Sequence, residues 1–217
     1  MSDLLKYNTL IFDCDGVILN SNNIKSKAFY DVALPYGVKA AEELYTYHIK
    51  NNGISRYEKF RYFLTNIICK KIESDELERL LNNFSKKVVS ELLLCEITSN
   101  LKALRLITKN TKWFVVSGGD QNELEHVFQE RQIEYLFDGG IFGSPDDKNK
   151  IIKREINPRS KYHPILFLGD SYYDYLVSKE NKMDFIFVNK WTDFQDWQKF
   201  VEEENIDFVG QPSDLIK

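Results

Sequence analysis

A chain of 217 residues, 43% hydrophobic and 29% charged, is long enough to bury a sizeable core and has the composition of an ordered protein. A formal net charge of -4 excludes a general nucleic-acid binder, which needs a basic face, though not a local basic pocket for a small anion. No apolar run approaches the roughly 20 residues of a membrane helix. Cys14, Cys69 and Cys95 form neither a Cys-x-x-Cys zinc pair nor an even disulfide framework.

The stretch Met1-Ser2-Asp3-Leu4-Leu5-Lys6 lacks a charged-then-apolar signal pattern, so the expectation is a cytoplasmic protein with reduced thiols. Leu10-Ile11-Phe12-Asp13-Cys14-Asp15-Gly16-Val17-Ile18-Leu19 predicts a strand buried on both faces that ends in two carboxylates and a glycine. Side chains in a strand alternate, so Asp13 and Asp15 point the same way while Cys14 points elsewhere. Gly16 allows a tight turn just beyond them. Two acids at the carboxyl end of a buried strand sit where open α/β sheets bind ligands.

From Asn20 to about Glu96 the spacing turns helical. Ala28-Phe29, Val32-Ala33 and Tyr36 mark one helix that Gly37 ends; Ala41 to Lys50 marks a second. Ser55-Arg56-Tyr57-Glu58 is a capping-box sequence that opens a third helix, whose stripe runs from Tyr57 to Ile68. Ser74-Asp75-Glu76-Leu77 opens a fourth. Residues 20–96 thus predict a helical unit inserted into a core made of residues 1–19 and 97–217.

A βα rhythm follows. Asn100 to Lys109 predicts a helix, Trp113 to Gly119 a strand, and Asp120 to about Arg131 a capped helix. Tyr135-Leu136-Phe137 and Gly140-Ile141-Phe142-Gly143 are short strand or loop pieces, and Asp147 to Glu155 is a helix. Ile165 to Asp170 predicts a strand ending in an acid, Tyr173 to Asn181 a helix, and Phe185 to Val188 a strand. Trp191 to Glu203 predicts a last long helix, with Phe208-Val209 a short final strand. The fold class expected is α/β: a Rossmann-like parallel sheet with helices on both faces, plus the helical insert.

Three strands end in polar groups: Asp13 with Asp15, Ser117, and Asp170, with Lys148 and Asp174 beside them. Parallel strands place their carboxyl ends on one edge, where these groups converge. Phosphate-ester chemistry uses such a set. One carboxylate attacks phosphorus and a second carboxyl moves protons. A hydroxyl, a lysine and a hard divalent ion neutralise charge on the phosphoryl oxygens. Clustered carboxylates without a cation would repel one another strongly, so a bound cation is implied.

Phe12-Asp13-Cys14-Asp15-Gly16-Val17 resembles the first motif of the haloacid dehalogenase superfamily. Ser117 after Val115-Val116 resembles the second, Lys148 in Gly143-Ser144-Pro145-Asp146-Asp147-Lys148 the third, and Gly169-Asp170-Ser171-Tyr172-Tyr173-Asp174 the fourth. The resemblance covers essentially the whole chain. It implies that Asp13 is the nucleophile, Asp15 the general acid/base, and Ser117, Gly118 and Lys148 the phosphate-binding groups. It implies Mg²⁺ held by Asp13, the Asp15 carbonyl and Asp170, with Asp174 ligating or supporting from behind. The insert resembles the helical cap of subclass I members. Gly53-Ile54-Ser55-Arg56 resembles the cap loop of β-phosphoglucomutase-like enzymes, which implicates Gly53, Ser55 and Arg56 in specificity; a plain cap with an exposed arginine is the other outcome.

The function expected is a magnesium-dependent phosphatase acting through an aspartyl phosphate on a small phosphorylated metabolite, a sugar phosphate first. A sugar phosphomutase is the alternative; a receiver-like signalling module and a catalytically silent ligand-binding relative are alternatives of other classes. The partner expected is a small-molecule phosphate ester, with no nucleic acid and no membrane; the sequence leaves the oligomeric state open. Asn20, Gly118-Gly119 and Tyr172-Tyr173 depart from the family pattern and leave the substrate open. Lys25, in the hinge region, is expected at the surface, with a place facing the pocket as the alternative, and His48, His126 and His163 as structural or exposed residues. Tyr172 and Tyr173 either line the pocket or pack on the core.

Overall fold

The structure, a computed structural model, describes residues 4–156 and 160–216; Met1, Ser2 and Asp3 of the N-terminal stretch, and Lys217, lie outside the described residues. Six strands form one sheet: β1 (Thr9–Phe12), β2 (Lys112–Asp120), β3 (Gly140–Ser144), β4 (Ile165–Gly169), β5 (Asp184–Val188) and β6 (Phe208–Val209). Their order is β3-β2-β1-β4-β5-β6 and every pairing is parallel. The strands are apolar on both faces because both are covered. Leu10, Phe12, Trp113, Val115, Leu166 and Leu168 belong to one buried cluster, while Ile11, Phe114, Val116, Ile165 and Phe167 belong to another on the opposite face.

The helices are α1 (Asn22–Ala33), α2 (Val38–Lys50), α3 (Arg56–Tyr62), α4 (Ser74–Leu92), α5 (Leu101–Ile107), α6 (Gln121–Glu130), α7 (Lys148–Glu155), α8 (Tyr172–Glu180) and α9 (Trp197–Glu203). The first four pack on one another, α1 against α2 and α4, and α3 against α4. Phe29, Phe60 and Phe84 meet at ring distances of 4.4 to 5.8 Å and belong to the same apolar cluster as Leu10 and Phe12. The helical layer is therefore continuous with one face of the sheet.

Two expectations change. The third helix gives way after Tyr62 to a π-helical turn over Phe63–Ile67, with Ile68 N–H donating to the Phe63 carbonyl at 2.9 Å. The wider turn lets the neighbours Phe63 and Leu64 both bury completely. The last helix begins only at Trp197. Residues 191–196 are held out of helix by side chains that bond their backbone. Thr192 Oγ1 donates to the Asp170 carbonyl at 2.6 Å and accepts from Phe194 N–H at 3.0 Å, and Asn22 Nδ2 donates to the Trp191 carbonyl at 2.8 Å.

Strand order reverses beside β1: the chain goes one way to β2 and β3, the other way to β4, β5 and β6. That switch point opens a crevice at the carboxyl ends of β1 and β4.

Candidate active site

Asp13 follows β1 directly, and its N–H extends the ladder to the Leu168 carbonyl at 2.9 Å. Its Oδ1 accepts from Cys14 N–H at 2.7 Å and lies 2.8 Å from Lys148 Nζ. Lys148 starts α7 after the cap Asp147 and is 1% exposed; its ammonium also donates to Asp174 Oδ1 at 2.6 Å. Asp174 is fixed by the capping box of α8: its Oδ2 accepts from Ser171 N–H at 3.2 Å and Ser171 Oγ at 2.6 Å. Asp170, just after β4, accepts from Asn22 Nδ2 at 2.8 Å. Carboxylate oxygens of Asp13, Asp170 and Asp174 lie within 4.8 Å of one another, and all three residues are buried. Gly16, at φ +77°, passes so close that a Cβ there would sit 2.1 Å from Asp170 Oδ2.

Burial pushes Asp13 up to about 7; Asp174 and Asp15 add to the rise and Lys148 opposes it. Burial, Asp13 and Asp174 raise Asp170 well above the usual carboxylate range. Burial opposes charge on Lys148, but Asp13 and Asp174 outweigh it and hold the ammonium. Three carboxylates around one ammonium leave negative charge uncompensated in a buried space. An oxygen-only donor set with that charge fits a hard divalent cation. Asp15 behaves differently. Burial would raise it, but Lys25 at 2.6 Å and Ser21 Oγ at 2.5 Å hold it below the usual range.

Lys25 is therefore not a surface residue. It is 8% exposed, because α1 turns it toward Asp15 and toward Glu123 at 3.9 Å. Arg56 is neither exposed nor free. Both terminal nitrogens donate to the Glu123 carboxylate, Nη1 also reaches Ser85 Oγ at 2.9 Å, and the guanidinium lies 4.5 Å from the Phe84 ring centroid. Ser55 caps α3 by accepting from Glu58 N–H at 3.3 Å, while the Glu58 side chain meets Arg61 at 3.5 Å.

Ser117 is fully buried near the end of β2, and its Oγ accepts from Gly119 N–H at 2.9 Å. Gly118 and Gly53 line the same cavity as Asp13 and Asp15. A Cβ on Gly118 would stand 2.4 Å from the Gly53 carbonyl oxygen, so glycine here lets the cap loop seat on the strand end. Tyr173 packs on the sheet and lines an opening beside Lys148, whereas Tyr172 is half-exposed and packs edge-on against Phe200 at 5.3 Å.

Sequence reasoning missed Asn22, Asn52, Lys59, Glu123 and Asp193, and gave His48 only a generic role. None lies in a motif; Asn22, Lys59, Glu123 and Asp193 are placed by contacts between distant elements, and Asn52 by the turn that follows α2. His48 is 5% exposed, bonded to Ser26 Oγ at 2.9 Å and Lys59 Nζ at 2.8 Å. Burial and two nearby lysines, Lys59 and Lys25, keep His48 well below its usual range.

The family profile described as "Haloacid dehalogenase-like hydrolase" matches residues 10–188. A phosphonoacetaldehyde hydrolase-like protein from Oleispira antarctica is similar in structure, at 13% identity and a TM-score of 0.72, covering 97% of this chain and 90% of that one. A β-phosphoglucomutase from Clostridium difficile aligns at 19% identity and a TM-score of 0.70, covering 96% and 93%. A hydrolase from Pseudomonas syringae aligns at 16% and 0.71, covering 97% and 96%. No curated protein matches the chain. Identities this low show a shared fold alone.

Proposed function

The chain belongs to the haloacid dehalogenase-like hydrolases, and from that membership we propose that it is a magnesium-dependent phosphatase of a small phosphorylated metabolite. The observation that carries this is the buried group Asp13, Lys148, Asp170 and Asp174, with Asp15 two residues from Asp13. Asp13 and Asp170 would hold magnesium together with the Asp15 carbonyl. Asp174, with both oxygens engaged by Lys148 and Ser171, supports from behind. Bound there, the ion supplies neutralisation of phosphoryl charge.

Lys148 holds Asp13 in place and favours its carboxylate form. An Asp13 oxygen attacks phosphorus, the ester P–O bond breaks, and the leaving alkoxide takes a proton from Asp15, which this half-reaction uses in its neutral form against the pull of the Lys25 contact. Asp15, now a carboxylate, takes a proton from water; the water oxygen attacks phosphorus, and phosphate leaves Asp13. The Lys25 and Ser21 contacts suit that second half, in which Asp15 must be ionised. Ser117, Gly118 and Lys148 flank the phosphoryl oxygens.

A mutase needs a second phosphate group bound far from Asp13. Arg56, the guanidinium on which that alternative leaned, is taken by Glu123, so hydrolysis is preferred. The partner is a small phosphate ester rather than a nucleic acid or a membrane. Among the described residues no helix is long and apolar enough to cross a membrane, and with cysteines kept as thiols the place of action proposed is the cytoplasm. Asp13→Asn is nearly isosteric and should lower magnesium-dependent hydrolysis of p-nitrophenyl phosphate at least about a thousandfold. A folded variant that retains activity would remove Asp13 as nucleophile.

A further inference from the structure

The cavity in front of Asp13 and Asp15 is lined by three cationic side chains, Lys25, Arg56 and Lys59. Two have carboxylates: Lys25 sits on Asp15 and Arg56 on Glu123. Lys59 is 2% exposed and has no carboxylate at ion-pair distance among the described residues. Its Nζ meets His48 Nδ1 at 2.8 Å. An ammonium can only donate, so Nδ1 accepts and His48 Nε2–H faces Ser26 Oγ at 2.9 Å. Ser26 Oγ in turn donates to Asp193 Oδ2 at 3.1 Å. This chain, reaching from the loop after β5 through α1 and α2 to α3, orients Lys59 without neutralising it directly.

Asn52 lines the same cavity. Its Oδ1 accepts from Gly53 N–H at 2.9 Å, which fixes the orientation of the amide. Its Nδ2 is then left buried without a partner. A buried unpaired donor and a buried ammonium with no carboxylate in contact, only Asp15 and Asp193 acting on it from farther off, are both costly, and one occupant relieves both. That occupant must carry negative charge and accept hydrogen bonds at two oxygens. One cation beside one neutral donor matches the single charge of a carboxylate better than a phosphate dianion.

We propose that Lys59 and Asn52 form a subsite for a carboxylate on the non-reacting part of the substrate, which makes the substrate a phosphorylated acid rather than a neutral sugar phosphate. The inference rests on the phosphatase function proposed above and narrows it. Burial and the charge of Lys25 push Lys59 down to about 7, against the weaker pull of Asp15 and Asp193; a bound carboxylate supplies a counter-charge in direct contact. His48 is a positioning residue, since it acts through Lys59.

The test reads binding without turnover. In the presence of Mg²⁺, ω-phosphonocarboxylates of two to four carbons are titrated calorimetrically against ω-hydroxyalkylphosphonates of equal length. At one length at least, the acid should bind ten times more tightly than its alcohol. Lys59→Met should bring that ratio close to one, and Asn52→Ala, in a turn outside any helix, should reduce it several-fold. Equal affinities at every length, failure of every acid to bind, or an advantage that survives in both variants would overturn the subsite. The wild-type comparison decides even if Lys59→Met does not fold. Loss of p-nitrophenyl phosphate hydrolysis alone would count against the phosphatase function and leave the binding ratio readable.

Discussion

At neutral pH the Lys59 ammonium costs the folded protein free energy, and the cost has a definite pH dependence. Its folded pKa of about 7 lies below the ordinary 10.5. Below about 7 both folded and unfolded chains carry the charge and the full penalty applies. Between 7 and 10.5 the unfolded chain binds a proton that the folded one does not, so stability rises with pH. The ceiling is about 5 kcal/mol at about 1.4 kcal/mol per unit, and removal of the donor to His48 Nδ1 gives back about 1–3 kcal/mol. Lys59→Met should therefore stabilise the ligand-free protein by about 2 kcal/mol at pH 6.5, with the gain fading toward pH 10. Urea unfolding across that range checks it; a variant less stable than wild type at pH 6.5 would contradict the assignment. Why this residue escaped the sequence is physical. Asp13, Asp15, Lys148 and Asp170 are legible because strand ends and short spacings put them at one edge. Lys59 sits at an ordinary position in an amphipathic helix, and only packing against α1 and α2 makes it buried. The pocket-facing place of Lys25, rather than the surface one, is decided by the same kind of packing, since its partners Asp15 and Glu123 are assembled by the fold.

The helix α3 works as a clasp between the helical layer and the start of α6. Arg56 grips Glu123 through both terminal nitrogens, Tyr57 donates to Asp120 Oδ2 at 2.5 Å, and the preceding loop lays the Gly53 carbonyl on Gly118. Asp120 is also the cap of α6, accepting from Glu123 N–H at 3.1 Å, so the clasp closes on a helix end that is itself fixed. Arg56 and Glu123 are each about 4% exposed at the side chain, so the pair is not a screened surface bridge. Glu123→Gln removes one charge and leaves a buried guanidinium uncompensated, a change that typically costs about 3–5 kcal/mol. The melting temperature should fall accordingly, and hydrogen exchange should quicken at residues 51–57 ahead of the sheet. Unchanged exchange there would mean that the clasp does not hold the cap loop. At this scale the sequence announces helix starts through caps such as Ser55 and Asp120, whereas the Ser171 cap of α8 is shown by the structure. The sequence does not announce interruptions such as the Phe63–Ile67 turn or the loop 191–196. Those depend on which distant carbonyl or side chain is available to compete with the helix.

The whole molecule brings its acids together by topology. With β1 between β2 and β4, Asp13 and Asp170, 157 positions apart in the chain, meet at one crevice, and Asn22 of the helical layer ties in from above through Asp170 and Trp191. The parallel order is legible from the βα rhythm, because right-handed crossovers leave few alternatives. The carboxylates nevertheless repel one another, and a folded metal-free protein must carry that strain. Asp13, raised from 3.8 to about 7, favours folding when protonated; its stabilisation is complete below about 3.8 and is lost as pH rises through 7. Mg²⁺ binds the ionised form, so its effect on stability should grow over the same interval. At a concentration near 100 times its Kd, Mg²⁺ contributes about 2.7 kcal/mol, which for a chain of this size corresponds to roughly 5–10 °C in melting temperature. The shift should be large at pH 8, small at pH 5, and absent in Asp170→Asn at either pH. A shift equal in wild type and Asp170→Asn would locate the ion elsewhere, because the site proposed for it depends on the Asp170 carboxylate.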